Sequence, residues 1–337
     1  MNSGMVGLFG DASHAARTFR AVPRPRSIRE LMVTEHDVLE ARRRIAPYVR
    51  RTPVLELEPG ALPGLDVPLV LKLEFLQRSG SFKARGAFHH LLAAAVPPAG
   101  VAAASGGNHG GAVALAARVL GFRARIFVPA TSPASKVGRI RGYGAEVVLA
   151  GAVYADARAA ALEWVRASGA LDVPAFEDPR VVAGQGTVAL ELLEDAAVDT
   201  VLVAVGGGGL AAGCAAALAP RGIRLVGVET EKTSSFRAAC ARGEPVDVEV
   251  SGLAVDSLGA RRVGAVPFAV LAAARAGSAV VTDEAVRAAQ RELWEACRVD
   301  AEPGGATALA ALLSGVYRPA PGERVAVVVS GANHLRG

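Results

Sequence analysis

Four short segments of the sequence carry side chains or glycines that could perform chemistry. The first contains Ser81, Phe82 and Lys83 and follows the apolar run Val67–Leu73. We predict that Ser81 caps a helix, which places Lys83 in the first helical turn. The positive end of the helix dipole disfavours an ammonium group there, so the amine of Lys83 is more easily neutral and nucleophilic. The alternative is a solvated lysine at the start of a surface helix.

The second segment is the glycine-rich loop Ser105–Gly111, between a β-like apolar run and an alanine-rich helical pattern. Backbone N–H groups at such a helix start, with the Ser105 hydroxyl and the Asn108 amide, would form an anion site suited to a carboxylate. The alternative is an ordinary glycine-rich turn with an asparagine helix cap. His109 is either a reactive group or a histidine whose hydrogen bonds are satisfied by packing.

The third segment, Gly206–Gly209, lies between the apolar run Val201–Val205 and a helical pattern that begins at Leu210. Glycines let the backbone approach an oxyanion closely, and the helix dipole attracts a phosphate. The segment lacks the Lys-Ser/Thr of a P-loop and the spacing of a dinucleotide site, which argues against nucleoside triphosphate hydrolysis. The fourth segment, Ser330–Asn333, follows the last apolar run, and Ser330 is either a turn former or the partner of a heterocycle nitrogen.

The four segments are more informative together than alone. A lysine, a carboxylate site, a phosphate loop and a hydroxyl at a strand end are the parts needed to bind pyridoxal 5′-phosphate (PLP). The lysine would form a Schiff base, the glycine loop would hold the phosphate, and the neutral hydroxyl would face the pyridine nitrogen. The sequence therefore predicts a PLP-dependent active site.

These segments need a scaffold, and the chain supplies one by alternating apolar runs with alanine-rich helical patterns from about residue 34 onward. Strands buried on both faces lose the alternation of period two and become continuous apolar runs, as here. The pattern predicts an α/β fold of three layers, with mostly parallel sheets covered by helices on both faces. In such a fold, three of the four segments lie at carboxyl ends of strands, where ligands bind.

Composition narrows the classes of function. Of the 337 residues, 51% are hydrophobic and 20% charged, so a large core is expected and wholesale disorder is excluded. A net charge of +5 without any run of five or more like charges is weak evidence for a nucleic-acid partner and favours a small, anionic ligand. The three cysteines have no metal-like spacing, which favours a cytoplasmic location and argues against zinc. The uncharged stretches 91–117 and 200–220 are broken by glycine or proline, so no membrane span is predicted.

In this order, the segments resemble those of the PLP-dependent threonine/serine dehydratases, which have the tryptophan synthase β-like fold (fold type II). The resemblance runs from about residue 34 to residue 334. Its motifs are Leu71–Lys83, Ser105–His109, Gly142–Val147, Gly184–Thr187, Gly206–Gly209 and Glu302–Gly305. It implies a homodimer and two domains, a large one formed by residues 28–98 and 176–337 and a small inserted one formed by residues 99–175. Residues 1–27 are expected to be a basic, disordered extension.

The resemblance also implies roles for individual residues. Lys83 would form the Schiff base and remove the α-proton, with Ser81 close to the reacting carbons. The other cofactor contacts would be Phe82 on the ring, Asn108 at the 3′-oxygen, Gly206, Gly207, Gly208, Gly209 and Leu210 at the phosphate, and Ser330 at the ring nitrogen. The substrate carboxylate would be bound by Ser105, Gly107, Asn108 and His109. Glu302 lies in a segment that lines the cofactor pocket in the family.

The implied reaction is β-elimination of L-threonine and/or L-serine to 2-oxobutanoate or pyruvate and ammonia. Gly106 replaces a serine of the relatives that also racemise serine, so weak racemisation is expected. Glu229 has no second carboxylate in the residues after it, so no metal is expected. The ending Asn333–Arg336 is atypical of the family. The alternatives are a lyase for phenylserine or 3-hydroxyaspartate, a β-replacing or serine racemase-like enzyme, and a catalytically inactive cofactor-binding protein.

Overall fold

The computed structural model describes Met1 and residues 32–333, and its strands form two separate sheets. The strands are β1 Val54–Leu57, β2 Leu69–Leu73, β3 Val101–Ala104, β4 Ala124–Val128, β5 Glu146–Leu149, β6 Leu171–Asp172, β7 Thr200–Ala204, β8 Arg224–Thr230, β9 Gly277–Val281 and β10 Val325–Val329. The large sheet has the order β1-β2-β10-β7-β8-β9, and the small sheet has the order β5-β4-β3-β6. Among the described strands only the β1–β2 pair is antiparallel, which confirms the mostly parallel α/β fold.

Helices connect these strands. They are α1 Glu35–Ile45, α2 Lys83–Ala93, α3 Asn108–Leu120, α4 Ala134–Gly142, α5 Tyr154–Ser168, α6 Pro179–Asp195, α7 Gly209–Leu218, α8 Ser235–Arg242, α9 Val255–Leu258, α10 Ala265–Ala273, α11 Asp283–Cys297 and α12 Pro303–Leu313. Local sequence sets several of their starts. The Asp178 side chain accepts a hydrogen bond from the Arg180 N–H, and Pro179 occupies the first position of α6, where its missing N–H costs nothing.

The large sheet is buried on both faces, and β10 shows how the layers form. Its five residues are all buried, and they alternate between two apolar cores. Ala326 and Val328 pack with residues of α1, α6, α7 and α10, whereas Val325, Val327 and Val329 pack with residues of α11 and α12. The alternation of side chains along a strand therefore explains why the run has no polar face.

The small sheet has the same layered design within residues 101–172. Val101 and Ala103 face a core shared with α2, α3 and α4, while Ala102 and Ala104 face α5. This sheet lies inside the segment 99–175 that was predicted to form an inserted domain, although the domain boundaries stay a prediction. The predicted extension 1–27 lies outside the described residues except for Met1. No helix in the described part is long and apolar enough to cross a membrane.

Strand order brings two of the chemical segments together. The neighbours β10 and β7 are parallel, so the segment that follows β10 and the glycine run that follows β7 meet at one edge of the large sheet. The Lys83 segment reaches the same edge, because Ser81 forms an isolated antiparallel bridge with Gly331. The remaining segment, the asparagine loop Ser105–Gly111, follows β3 in the small sheet.

Candidate active site

The Lys83 segment is fixed by backbone hydrogen bonds to the end of β10. The Phe82 N–H donates to the Ser330 carbonyl at 3.2 Å, next to the bridge between Ser81 and Gly331. Helix α2 then begins at Lys83, and Phe82 occupies the N-cap without a side-chain hydrogen bond. The predicted Ser81 cap is therefore wrong, because the pairing with Gly331 fixes Ser81 before the helix begins. Lys83 lies in the first helical turn, as predicted.

The Ser81 hydroxyl is buried, and no described residue hydrogen-bonds to it. A buried polar group left without a partner costs about 1–3 kcal/mol. Such groups are uncommon in native proteins, and many are explained by a bound molecule that supplies the missing hydrogen bond. Ser81 thus marks a place for a ligand beside Lys83.

The Lys83 amine loses its proton more readily than an ordinary lysine. Its Nζ donates to the Ala175 carbonyl at 3.0 Å and lies 5.1 Å from the centre of the Phe82 ring. Burial lowers the pKa of Lys83 from 10.5 to about 8, and the Glu302 carboxylate opposes this shift. An amine with such a pKa is a usable base and nucleophile near neutral pH.

The other lysines of the chain are bound to carboxylates. The sequence contains only four lysines. The ion pairs are Lys72–Glu191 at 2.9 Å, Lys136–Asp256 at 2.8 Å and Lys232–Asp283 at 3.0 Å. Lys83 forms no ion pair with any described residue. Lys83 is therefore the lysine whose amine is free for covalent chemistry.

The asparagine loop leads into α3. The Ser105 Oγ accepts a hydrogen bond from the Gly107 N–H at 3.2 Å. The Asn108 Nδ2 donates to the Glu302 Oε1 at 2.6 Å, and its Oδ1 accepts from the Asn333 Nδ2 at 2.7 Å. The first N–H groups of a helix have no partner within it, so the loop presents donors suited to an anion.

The side chain of His109 contacts a residue outside this loop. Its Nε2 is 2.8 Å from the Val173 carbonyl, and the residue is buried. Burial, with the nearby Lys83 charge, lowers the pKa of His109 to about 3, so the ring is neutral. His109 is therefore a histidine whose side-chain hydrogen bond is satisfied by packing. The group that His109 can offer to an anion is its backbone N–H.

The glycine run precedes α7 and is packed closely. Gly208 has a positive φ of 87° at the helix N-cap. A Cβ on Gly207 would lie 2.2 Å from the Phe176 ring, and one on Gly209 would lie 3.0 Å from the Phe176 Cβ. Because these glycines have no side chains, they leave space for Phe176 and let an oxyanion approach the backbone. No sequence signal indicated Phe176, since only the fold brings it to this loop.

Ser330, Glu302 and a cavity also lie at the edge of the large sheet where β7 and β10 end. The buried Ser330 Oγ lies 3.3 Å from the Gly304 carbonyl. A cavity of about 190 Å³ opens beside the asparagine loop, and Asn108, Lys136, Glu302 and Asn333 are among the residues that line it. The cavity thus joins α3 and α4 of the small-sheet segment to loops of the large sheet.

Glu229 is used structurally. Its carboxylate accepts hydrogen bonds from the Phe236 N–H at 2.7 Å and the Arg237 N–H at 2.8 Å, in the first turn of α8. Burial raises the pKa of Glu229 to about 7. The described residues contain no group of three His, Cys, Asp or Glu side chains that could hold a metal ion.

Comparison with known proteins decides the family. The family profile described as "Pyridoxal-phosphate dependent enzyme" matches residues 45–331. The chain belongs to this PLP-dependent family. The match includes the Lys83 segment, the asparagine loop, the glycine run and Ser330, so the cofactor predicted from the sequence is confirmed.

Relatives within this PLP-dependent family agree in fold. An L-threonine ammonia-lyase from Thermotoga maritima is 37% identical over 308 residues, which cover 90% of this chain and 76% of the relative. Among solved structures, a T.th. threonine deaminase is 36% identical with a TM-score of 0.83, covering 90% of this chain and 99% of the other. A maize serine racemase is 32% identical with a TM-score of 0.84, covering 90% and 94%. The predicted fold type II is confirmed.

Proposed function

We propose that the chain is a PLP-dependent ammonia-lyase that converts L-threonine and/or L-serine to 2-oxobutanoate or pyruvate and ammonia. The names of the Thermotoga maritima lyase and the T.th. deaminase support this reaction class. The observation that carries the proposal is Lys83, the lysine without an ion pair among the described residues, with a pKa lowered to about 8.

The residues present fit the cofactor. Lys83 would hold the PLP aldehyde as a Schiff base, and Phe82 would pack on the ring. The glycine run Gly206–Gly209 and the Leu210 N–H, at the start of α7, would bind the phosphate. Asn108 would meet the 3′-oxygen and Ser330 the ring nitrogen. Bound PLP supplies an electron sink for the charge that develops at the α-carbon when its proton is removed.

The protein's own groups then divide the remaining tasks. Lys83 takes the α-proton at Nζ, for which a pKa near neutral pH is suited. The Ser81 hydroxyl, which lacks a partner in the described structure, contacts the reacting substrate. The asparagine loop binds the substrate carboxylate. The groups that bind it are Ser105, Gly107, Asn108 and the backbone N–H of His109.

A serine racemase is the second candidate, because the maize protein shares the fold. Gly106 argues against it. A Cβ at this position would lie 2.9 Å from the Ser132 Oγ, so a serine at 106 would displace Ser132. The chain therefore lacks a hydroxyl at this position, and a serine there would require the Ser132 side chain to move.

We also propose the two domains 28–98 plus 176–337 and 99–175, a homodimer, and a cytoplasmic location. The separate sheets support the domain division. The cysteines Cys214, Cys240 and Cys297 are all free thiols, as expected in a reducing compartment. The homodimer rests on the family resemblance.

The test is an assay of 2-oxo acid and ammonia with a panel of amino acids. The panel contains L-threonine, L-serine, D-serine, phenylserine and 3-hydroxyaspartate, with Lys232→Ala as a lysine control outside the site. We expect release of equal amounts of both products from L-threonine or L-serine, in the wild type and the control. Product from phenylserine or 3-hydroxyaspartate alone would reassign the substrate, and D-serine formed from L-serine would favour the racemase. No product from any amino acid would contradict the proposal.

A further inference from the structure

Three residues at one wall of the cavity form a closed ring of hydrogen bonds. The Asn333 Nδ2 donates to the Asn108 Oδ1 at 2.7 Å, and the Asn108 Nδ2 donates to the Glu302 Oε1 at 2.6 Å. The Asn333 N–H closes the ring by donating to the Glu302 Oε2 at 3.1 Å. Asn333 and Asn108 are 225 positions apart, so the ring ties the start of α3 to the segment after β10.

Asn333 is also bound to the segment that leads to Lys83. Its Nδ2 donates to the Ser79 carbonyl at 2.8 Å, and the neighbouring Ala332 N–H donates to the Gly80 carbonyl at 3.1 Å. A Cβ on Gly80 would lie 2.4 Å from the Asn333 Oδ1, so the glycine leaves room for this amide. Both Nδ2 hydrogens of Asn333 thus meet acceptors, one in the Lys83 segment and one in the asparagine loop.

The ring fixes which way the Asn108 amide points. A flipped amide would set its Oδ1 against the Glu302 carboxylate and its Nδ2 against the Nδ2 of Asn333, which are both repulsive contacts. In the observed orientation, Oδ1 is occupied by Asn333 and one Nδ2 hydrogen by Glu302. The remaining Nδ2 hydrogen leaves Asn108 able to donate a hydrogen bond to a ligand.

We propose that Asn333 is a positioning residue, which orients the Asn108 amide as a hydrogen-bond donor toward the 3′-oxygen of bound PLP. The inference rests on the proposed function for the contact between Asn108 and the cofactor. Asn333 acts through Asn108 and through the Ser79 carbonyl, and it needs no contact with the cofactor itself. It thereby holds the asparagine loop and the Lys83 segment in one fixed relation.

The test compares Asn333→Asp with Asn333→Ala. The measurements are the dissociation constant of PLP from the purified chain and the absorbance spectrum of the bound cofactor. Aspartate has the size of asparagine but would face the Ser79 carbonyl and the Asn108 Oδ1 with oxygen atoms only. Alanine leaves space that water can fill. We expect PLP binding to weaken by about five- to a hundredfold, more in the aspartate variant, with an altered cofactor band near ~410–420 nm in both.

Two further variants complete the design. Tyr317→Phe removes a hydrogen bond to Glu323 near the other end of β10 and is expected to keep the wild-type affinity and spectrum. Asn333→Ser keeps one hydroxyl donor and is expected to lie between wild type and Asn333→Ala, which tests the inference if the aspartate variant does not fold. Thermal unfolding of each variant measures any general loss of structure.

A purely structural role predicts the opposite order. If Asn333 only fills space, the isosteric aspartate disturbs binding less than alanine does, and the absorbance band keeps its shape; that order, or affinities within twofold of wild type, would overturn the inference. Cofactor binding and its spectrum need no turnover. A wild type that binds PLP but releases no 2-oxo acid therefore contradicts only the proposed reaction, whereas a wild type that binds no PLP contradicts both.

Discussion

Two lysines only eleven positions apart, the buried Lys72 and the half-buried Lys83, are used in opposite ways. The Lys72 Nζ, on β2, donates to the Thr52 carbonyl at 2.5 Å and to the Glu191 Oε2 at 2.9 Å. The Lys83 Nζ, at the start of α2, donates to the Ala175 carbonyl alone among the described groups. The residue type is the same, but Lys72 is buried and Lys83 is half-buried, and the charges around the two amines differ.

The surroundings of Lys72 form a network in which the charges are paired. Arg85 is fully buried between Glu74 and Glu191, with Nε and NH groups 2.7–2.8 Å from their oxygens. Burial acts against the charge of Arg85, but the two carboxylates outweigh it and hold the pKa of Arg85 above its usual range. The network joins β2, α2 and α6, and α2 carries Lys83.

The contrast shows how a charged residue becomes reactive. Buried charges that are fully paired stabilise one arrangement and are not available for chemistry. Lys83 is half-buried with only a carbonyl and the field of Glu302, and desolvation of its amine lowers the pKa, so it loses a proton more readily than an ordinary lysine. The paired network therefore holds α2 in place. The charge of Lys83, the first residue of that helix, has no ion pair with a described residue.

The largest expected effect comes from breaking the paired network. Lys72→Ala leaves the Glu191 carboxylate without one of its two buried cations. We expect a loss of about 3–5 kcal/mol in the free energy of unfolding, measured by urea denaturation. Lys83→Ala is the matched change and should cost less than about 1 kcal/mol, because it breaks no ion pair in the described structure. Equal losses in the two variants would contradict the contrast.

Two hydroxyls sharpen the same comparison. Thr52 Oγ1 donates to the Glu74 Oε1 at 2.5 Å, whereas Ser81 Oγ has no hydrogen bond to a described residue. Thr52→Val should cost about 1–3 kcal/mol of stability, since it leaves a buried carboxylate oxygen short of a donor. Ser81→Ala should leave the stability of the cofactor-free chain unchanged or raise it by up to about 1–3 kcal/mol, because it removes the unpaired hydroxyl, and should lower the turnover of amino acid. A stability loss in Ser81→Ala would mean that its hydroxyl is paired in solution.

The smallest effect concerns pH. Only the neutral Lys83 amine attacks the PLP aldehyde, so the rate of PLP uptake by the cofactor-free chain should rise with pH and level off above about 8, the lowered pKa of Lys83. Glu302 raises the pKa of Lys83, so Glu302→Gln should move the midpoint to lower pH. Stopped-flow absorbance measures both curves. A rate that keeps rising toward 10.5, the usual lysine value, would show that the amine is not shifted.

The features that follow directly from a strand were predictable from the sequence. The glycine run after β7, the asparagine loop after β3 and Ser330 after β10 lie where the alternation of apolar runs placed them. Predictions failed or were absent where distant segments meet. Ser81 is fixed by Gly331 instead of capping a helix, and Phe176 lies on the glycine run. Such contacts depend on tertiary packing and leave no periodic signal in the chain.

Asn333 illustrates the same limit. The sequence indicates only that the ending Asn333–Arg336 is atypical of the family. In the structure, the Asn333 amide contacts Ser79 and Asn108, and its backbone N–H contacts Glu302. Three contacts from three distant parts of the chain cannot be inferred from spacing alone. His334, Leu335 and Arg336 lie outside the described residues.

The most direct test of the central claim locates the cofactor. Borohydride reduction of the PLP-loaded protein fixes the cofactor to the amine that carries it, and peptide mass spectrometry then distinguishes the four lysines. The account predicts modification of Lys83, and none of Lys72, Lys136 or Lys232, whose amines are engaged with carboxylates. Lys83→Ala should abolish the modification. Cofactor found on any of the other three lysines in the wild type would contradict the account.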